Sequence, residues 1–181
     1  MSIDLLLAQD ADLPAIVTLM NRAFRGPATE RSWSTESFIT GSRTTESLLR
    51  EEIADGARIL LAKDALTSAL QGCVSLRALS PQKWYLGALT VDPALQNAGF
   101  GRELLASAEE YADAHGARTI EITVVNVRHT LIAWYERRGY RLTGEARPFP
   151  YGDNRFGVPT RSDLEFVVLS KSLPESAARQ A

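Results

Sequence analysis

Residues 84–105 read WYLGALTVDPALQNAGFGRELL, and three consecutive parts of this stretch indicate how the chain folds. Residues 84–91 are apolar at nearly every position, which is typical of a central strand covered on both faces. A short loop with Gly99 and Gly101 follows, and the next segment has the apolar spacing of a helix. A strand that enters a helix through such a loop leaves unpaired amides at a positively polarised helix end. The stretch therefore predicts a seat for a phosphate group.

The loop by itself leaves two interpretations open. The glycines either admit an anion to the backbone or only let the helix pack closely on the sheet. Two common phosphate-binding motifs are excluded, because no Gly-Lys-Ser or Gly-Lys-Thr is present and Leu104 stands where a dinucleotide fingerprint needs its third glycine. The loop also follows three strands that have no helices between them, which does not suit a dinucleotide half-domain.

Hydrophobic periodicity and turn residues predict the remaining elements. A short helix with Ser34 as its cap is expected within residues 32–41, and the helix at residues 44–56 is expected to have Thr44 as its cap. The other predicted helices are residues 13–24, 99–115 and 131–138. The predicted strands are residues 3–8, 58–63, 70–79, 84–91, 119–125, 140–143 and 163–171. This order predicts an α+β, or mixed α/β, fold with one mostly antiparallel twisted sheet of six or seven strands, about four flanking helices and one parallel pair.

Composition limits the class of protein. The chain has 181 residues, and we expect a single domain over residues 1–173 and a flexible tail over residues 174–181. The net charge of −2 gives no basic field for nucleic acid or an anionic membrane. The single cysteine, Cys73, is compatible with a reducing compartment, and the first residues lack the basic and apolar regions of a signal peptide. A cytoplasmic protein is expected.

Two motifs in the chain resemble the signatures of the GNAT family of N-acetyltransferases. Val91-Asp92-Pro93 and the loop from Gln96 to Gly101 match the family's acetyl-CoA-binding segment position by position. Downstream, Tyr135 and Gly139-Tyr140 match its second signature, a short helix that ends Y-x-x-x-G-F/Y. The resemblance covers roughly residues 3–171, and the predicted order of elements is similar to that of the family.

The resemblance implies an acetyl-CoA site and a role for each matching residue. Residues 88–91, including Leu89, Thr90 and Val91, would pair with the pantetheine arm at a small bulge or splay, and the amide of Leu89 or Thr90 would face the thioester carbonyl. Tyr135 would act as the general acid to the departing thiolate, with packing against Trp134 and Tyr140 as its alternative role. The residues whose amides would hold the pyrophosphate are Gln96, Asn97, Ala98, Gly99, Phe100, Gly101 and Arg102.

One position departs from the family pattern. The family commonly has an asparagine seven residues before this tyrosine, where it contacts the coenzyme, and this chain has Arg128 there, with Asn126 two residues earlier. Arg128 either reaches a phosphate or faces solvent. For the general base the sequence offers Glu121, Glu36 and Asp163, each of which is otherwise a solvated or salt-bridged carboxylate, and proximity with water can serve instead.

The acceptor is expected to bind between residues 25–43 and 144–160, because variable loops carry specificity. It would be a small-molecule or peptide amine; Trp33 and Phe38 either line its pocket or pack beneath a loop. The candidate residues are Glu30, Glu36 and Asp153 for a cationic amine, and Arg31, Arg43 and Arg155 for an acidic one. No metal is predicted, since His115 and His129 lack ligand spacing. A homodimer is compatible with the resemblance, and a non-catalytic acyl-CoA-binding module is the alternative to an enzyme.

Overall fold

The structure is a computed structural model that describes residues 3–27, 33–96 and 99–174. Its helices in this part of the chain are α1 (Leu13–Arg25), α2 (Glu46–Ala54), α3 (Phe100–Ala114) and α4 (His129–Glu136). Its strands are β1 (Leu5–Leu7), β2 (Ile39–Thr40), β3 (Arg58–Lys63), β4 (Leu70–Ala78), β5 (Lys83–Val91), β6 (Thr119–Val125), β7 (Arg141–Pro148), β8 (Val158–Pro159) and β9 (Glu165–Ser172).

Seven of these strands form one sheet in the order β1-β3-β4-β5-β6-β9-β7, and β2 pairs with β8 in a separate ribbon. All neighbouring strands in the large sheet run antiparallel apart from β5 and β6, which are parallel. The helical crossover between β5 and β6 is what a parallel pair requires, since a hairpin cannot join parallel strands. The predicted α+β class and the single parallel pair are confirmed in the described chain.

The helices cover the sheet on both faces. On one face the apolar stripe of α1, with Leu13, Ile16 and Met20, packs with Leu61 and Cys73. On the other face the apolar stripe of α3 packs against β4 and β5; its residues are Leu104, Leu105, Ala108 and Ala112. Because both faces are covered, β5 is apolar along its length, as its sequence indicates.

Two local predictions are wrong. Residues 32–41 do not form a helix with Ser34 as its cap within the described part of that segment. The amide of Glu36 instead donates to the carbonyl of Phe24, and β2 then pairs with β8. The cap of α2 is Thr45, whose hydroxyl accepts from the amide of Leu48 at 3.3 Å. Tertiary contacts decide both cases.

The predicted tail, residues 174–181, lies outside the described residues except for its first position. Among the helices of the described chain, none combines the length and the apolar character needed to span a membrane.

Candidate active site

A bulge interrupts the pairing of β5 with β4. Cys73 pairs with Thr90 but Ser75 pairs with Gly87, so β5 carries one more residue than β4 over this interval. Ala88 lies there with φ +50°, in the left-handed region that side chains disfavour. The hydroxyl of Thr90 donates to the carbonyl of Ala88 at 2.8 Å and holds the turn in place. A bulge leaves its extra residue outside the ladder, and over this interval Ala88 and Leu89 are the residues of β5 without a partner on β4, while Thr90 keeps its partner Cys73.

β5 and β6 separate shortly before this bulge. Their paired residues end with Tyr85 and Glu121, although both strands continue for several residues more. A hydrogen bond of 2.8 Å between the hydroxyls of Tyr85 and Thr123 spans the start of the gap. A cavity of about 450 Å³ opens there, lined by residues 86–89 on one side and 122–125 on the other. The expected splay and bulge therefore occur together.

The glycine loop leads from the bulged strand into α3. Asn97 and Ala98 lie outside the described residues. Gly99 has φ +85°, and its carbonyl accepts from the amide of Arg102 at 3.0 Å. The amides of Gly99, Phe100 and Gly101 donate to no acceptor in the described chain, as expected for the first turn of a helix. The amide of Arg102 is therefore engaged within the turn, and only its guanidinium is available to contact a phosphate.

The glycine that allows close helix packing is Gly72 on β4. A Cβ there would meet the carbonyl oxygen of Thr90 at 2.9 Å and the side chain of Leu104 at 3.0 Å. A Cβ on Gly99 or Gly101 would meet other atoms only at ordinary contact distances of 3.5 Å or more. The loop glycines are therefore not needed for close packing of the helix. Gly99 suits its position because its backbone has a positive φ, which side chains disfavour.

Cationic side chains surround the loop. The guanidinium of Arg138 lies 3.6 Å from the ring centre of Trp134 and donates to that residue's carbonyl at 2.7 Å. Burial lowers the pKa of Arg138, and the nearby charges of Arg137 and Arg102 lower it further. Arg102 and Arg137 form no ion pair in the described chain, so this end of the site has an excess of positive charge. Sequence reasoning missed Arg138, although the Arg137-Arg138 pair directly after α4 was a visible signal.

Tyr135 borders the cavity from α4 and is only 6% exposed. Its ring meets those of Trp134 and Tyr140 edge-on, with ring centres 5.0 Å and 5.4 Å away. Its hydroxyl makes no hydrogen bond within the described residues. Burial raises the pKa of this phenol above its ordinary value, against the opposing charge of Arg128, so the hydroxyl keeps its proton at neutral pH. Tyr135 thus packs in an aromatic cluster and also keeps its hydroxyl unengaged.

Arg128 does not face solvent, which corrects one of its two expected roles. Its side chain is 10% exposed, donates to the carbonyl of Trp33 at 2.6 Å, and lies 3.6 Å from a carboxylate oxygen of Glu36. The amide of Trp33 donates in turn to the side chain of Gln96 at 3.0 Å. Trp33 therefore connects the glycine loop to the start of α4, and it also stacks on Trp134.

Asn126 has a structural partner on β9. Its side-chain amide donates to the carbonyl of Asp163 at 2.9 Å and accepts from the amide of Glu165 at 3.2 Å. These bonds join the end of β6 to the start of β9 and hold one wall of the gap.

The three carboxylates considered as bases are all paired with cations. Glu121 is 1% exposed, with Lys83 at 2.5 Å and Arg147 at 2.7 Å. Glu36 lies 2.7 Å from Arg25 and also contacts Arg128. Asp163 is exposed and bonded to Arg161. Each of the three carboxylates is therefore already engaged with a cation.

The far part of the cavity is built by the segments that were expected to hold the acceptor. Phe24, Ile39 and Arg43 line it on one side. The later segment contributes Phe149, Pro150, Asp153, Phe156 and Gly157. Arg77 of β4 and Glu52 of α2 also line it, and sequence reasoning missed both. Neither lies in a motif, so only the fold brings them to this site. In the described chain, no group of three or more potential metal ligands is present.

Comparison with known proteins agrees with this geometry. A model of the Acetyltransferase (GNAT) family matches residues 15–140, and no curated protein matches the sequence. The structure is similar to the ribosomal-protein-S18-alanine N-acetyltransferase of Escherichia coli, with a TM-score of 0.69, 16% identity and 98% coverage of both chains. It is also similar to a phosphinothricin acetyltransferase from Sinorhizobium meliloti in complex with acetyl-CoA. There the TM-score is 0.64 and the identity 18%, and the match covers 99% of this chain and 93% of that one. A third similar structure is a GNAT family acetyltransferase from Elizabethkingia anophelis with acetyl-CoA bound. Its TM-score is 0.56 at 20% identity, and the match covers 70% of this chain and 82% of that one.

The solved structures share the fold at low identity, while the family model spans more than half of the sequence. The chain therefore belongs to the GNAT family of acetyltransferases and is an acyltransferase.

Proposed function

We propose that the chain transfers the acetyl group of acetyl-CoA to a primary amine of a small molecule or peptide, by direct attack in a complex that holds both substrates. One observation carries the proposal: the bulge at Ala88, the gap between β5 and β6, and the hydroxyl of Tyr135 all meet at one cavity. Acyl transfer needs a backbone donor, a channel for an extended substrate and a proton donor, and these three features would supply them.

The coenzyme end of the site would lie at the start of α3. The free amides of Gly99, Phe100 and Gly101 would bind the pyrophosphate together with the loop residues before them, and the helix dipole adds positive potential. Arg102 and Arg138 would neutralise further phosphate charge. The pantetheine arm, which carries amides like a peptide, would run along residues 88–91 where β6 no longer pairs with β5.

The chemistry would take place at the bulge. The amide of Leu89 or Thr90 would donate to the thioester oxygen as negative charge develops there, and the amine would attack from the acceptor side of the cavity. The carbon–sulfur bond would then break, with Tyr135 giving its proton to the sulfur and water removing one from the amine. An unengaged hydroxyl beside a cavity that admits an acceptor favours this reaction over a binding-only module.

The order of the reaction is tested by two-substrate kinetics. Direct attack predicts that double-reciprocal plots at several fixed amine concentrations intersect, since both substrates must be bound before transfer. A covalent acetyl-enzyme would give parallel lines and would contradict the proposal. Cys73 is no nucleophile for that route, because burial raises the pKa of its thiol to about 12. The assay uses a panel of amines and follows the release of coenzyme A thiol.

A further inference from the structure

Most charges around the acceptor part of the cavity neutralise one another. Glu36 lies 2.7 Å from Arg25 and 3.6 Å from Arg128, so two cations share one carboxylate. Asp153 is bonded to Arg155 at 2.8 Å. Glu36 and Asp153 were candidate partners for a cationic acceptor, and both are already occupied.

Two other guanidinium groups at the cavity have no such partner. Arg43 and Arg77 both line it, and neither guanidinium makes a hydrogen bond or an ion pair within the described residues. The guanidinium of Arg43 lies over the rings of Phe24 and Phe156, at 5.1 Å and 5.7 Å from their centres. These aromatic contacts fix its position and leave its hydrogen-bond donors available.

One unpaired carboxylate, that of Glu52, stands between these cations. It lines the cavity and forms no ion pair in the described chain. Burial raises its pKa, and the charges of Arg43 and Arg77 counteract that rise only in part. Two guanidinium groups face one carboxylate, so the acceptor pocket (Phe24, Arg43, Glu52, Arg77 and Phe156) carries excess positive charge.

The excess charge lies in the same cavity as the expected reacting position. Ala88 and Leu89 of the bulge line this cavity together with Arg43 and Arg77. An anion held by these arginines and an amine placed at the bulge would therefore share one cavity. The aromatic rings of Phe24 and Phe156 add apolar wall to it.

We propose that the acceptor is an amino acid-like molecule, whose carboxylate binds Arg43 and Arg77 while its primary amine meets the thioester. This proposal rests on the proposed acetyl transfer and specifies its acceptor. Guanidinium groups suit a carboxylate because their planar forks give two parallel, charge-assisted hydrogen bonds. Among the described residues, four arginines and three carboxylates line the cavity, and two of these carboxylates, Glu36 and Asp153, are already paired with cations. The cavity would therefore repel a polycationic amine.

The test compares α-, β- and γ-amino acids with their own carboxamides as acceptors, at equal concentrations of unprotonated amine. The expected result is that an amino acid is acetylated with a kcat/KM about 10- to 100-fold above that of its carboxamide, the usual worth of a charge-assisted hydrogen bond. Arg43→Gln and Arg77→Gln should each raise the KM of the amino acid about 10-fold or more and raise the KM of its carboxamide much less, because the neutral amide loses no charge-assisted hydrogen bond. Turnover of the carboxamide also shows that the variant is folded.

Two further variants act as controls. Arg50→Gln removes an exposed guanidinium that does not line the cavity and is bonded to Asp10 and Glu46, so no KM should change. Glu52→Gln removes the carboxylate between Arg43 and Arg77, so the KM of the amino acid should fall.

Three results would overturn the proposal: equal turnover of acids and carboxamides, preferential turnover of blocked peptides or polyamines, or no turnover of any amino acid by protein that binds acetyl-CoA. Protein that shows no heat of binding with acetyl-CoA in calorimetry would instead contradict the proposed function, so the two failures are distinguishable.

Discussion

The hydroxyl of Tyr135 can be removed without disturbing the fold, which makes Tyr135→Phe the sharpest test of the proposed acid. The hydroxyl has no hydrogen-bond partner in the described chain, so its loss leaves no buried group unsatisfied. The ring contacts with Trp134 and Tyr140 stay in place. We expect the free energy of unfolding to change by no more than about 0.5 kcal/mol.

The expected loss of activity follows from the acidity of the buried phenol. Its pKa lies above the ordinary value of 10. A thiol titrates near 8.5, so protonating the thiolate costs at least about 2 kcal/mol when the donor is this phenol. General acids typically raise the reaction rate about 10²- to 10⁴-fold, and a weak acid is expected near the lower end of this range. Tyr135→Phe should therefore lower kcat about 10²-fold on an accepted amine.

The assay measures thiol release against pH. Because burial raises the pKa of Tyr135, the wild type should show no alkaline decline from this group below about pH 10. The matched control is Tyr140→Phe, which removes a hydroxyl bonded to Glu109 at 2.9 Å. That variant should lose stability but keep kcat. Full turnover by Tyr135→Phe between about pH 6 and pH 9 would refute the acid role.

Three other predictions concern a glycine that lines the cavity, the buried glutamate of β6 and the single cysteine. Gly157→Ala would place a Cβ 2.6 Å from atoms of β2, on a residue whose φ is +103°. The free energy of unfolding should therefore fall by about 1–3 kcal/mol, and the KM of the acceptor should rise. An unchanged melting temperature would contradict this strain. Burial alone would raise the pKa of Glu121, but Lys83 and Arg147 bring it below 4.5, so its ion pairs stabilise the fold above that pH and lose effect as the pH falls through the lowered pKa. Glu121→Gln should therefore lower the free energy of unfolding in urea by about 1 kcal/mol at pH 7, since both cations are partly exposed, and by less as the pH falls below 4.5. An equal loss at every pH would contradict this linkage. The buried Cys73 thiol has a pKa of about 12, so a disulfide reagent at about pH 8 should modify it only after denaturation, and rapid labelling of native protein would contradict its burial.

Local patterns predicted the elements that frame the glycine loop. The apolar run of β5, the loop and the amphipathic stripe of α3 are contiguous in sequence, so their order indicated a strand that feeds a helix, while the bulge was expected only from the family resemblance. The capping of α2 shows the limit of such reasoning. Thr44 and Thr45 are chemically equivalent candidates, and Asn21 decides between them, because its side chain accepts from the amide of Thr44.

The acceptor end could not be predicted in the same way. Arg43 lies between β2 and α2, Arg77 lies on β4, 34 positions later, and Glu52 belongs to α2 between them. Glu36 was a candidate base by type, and only the fold shows that Arg25 and Arg128 already hold it. Charges act on their neighbours in space, and a sequence pattern does not contain those neighbours.

The central claim is that acetyl-CoA lies along the bulged part of β5 and the start of α3. The most direct measurement is a titration of ¹⁵N-labelled protein with acetyl-CoA, in which the shift of each backbone amide is followed by NMR. We predict saturable shifts that are largest at residues 88–91 and 99–102 and small in β1 and β7. Shifts that do not saturate, or that are largest away from these two segments, would contradict the account.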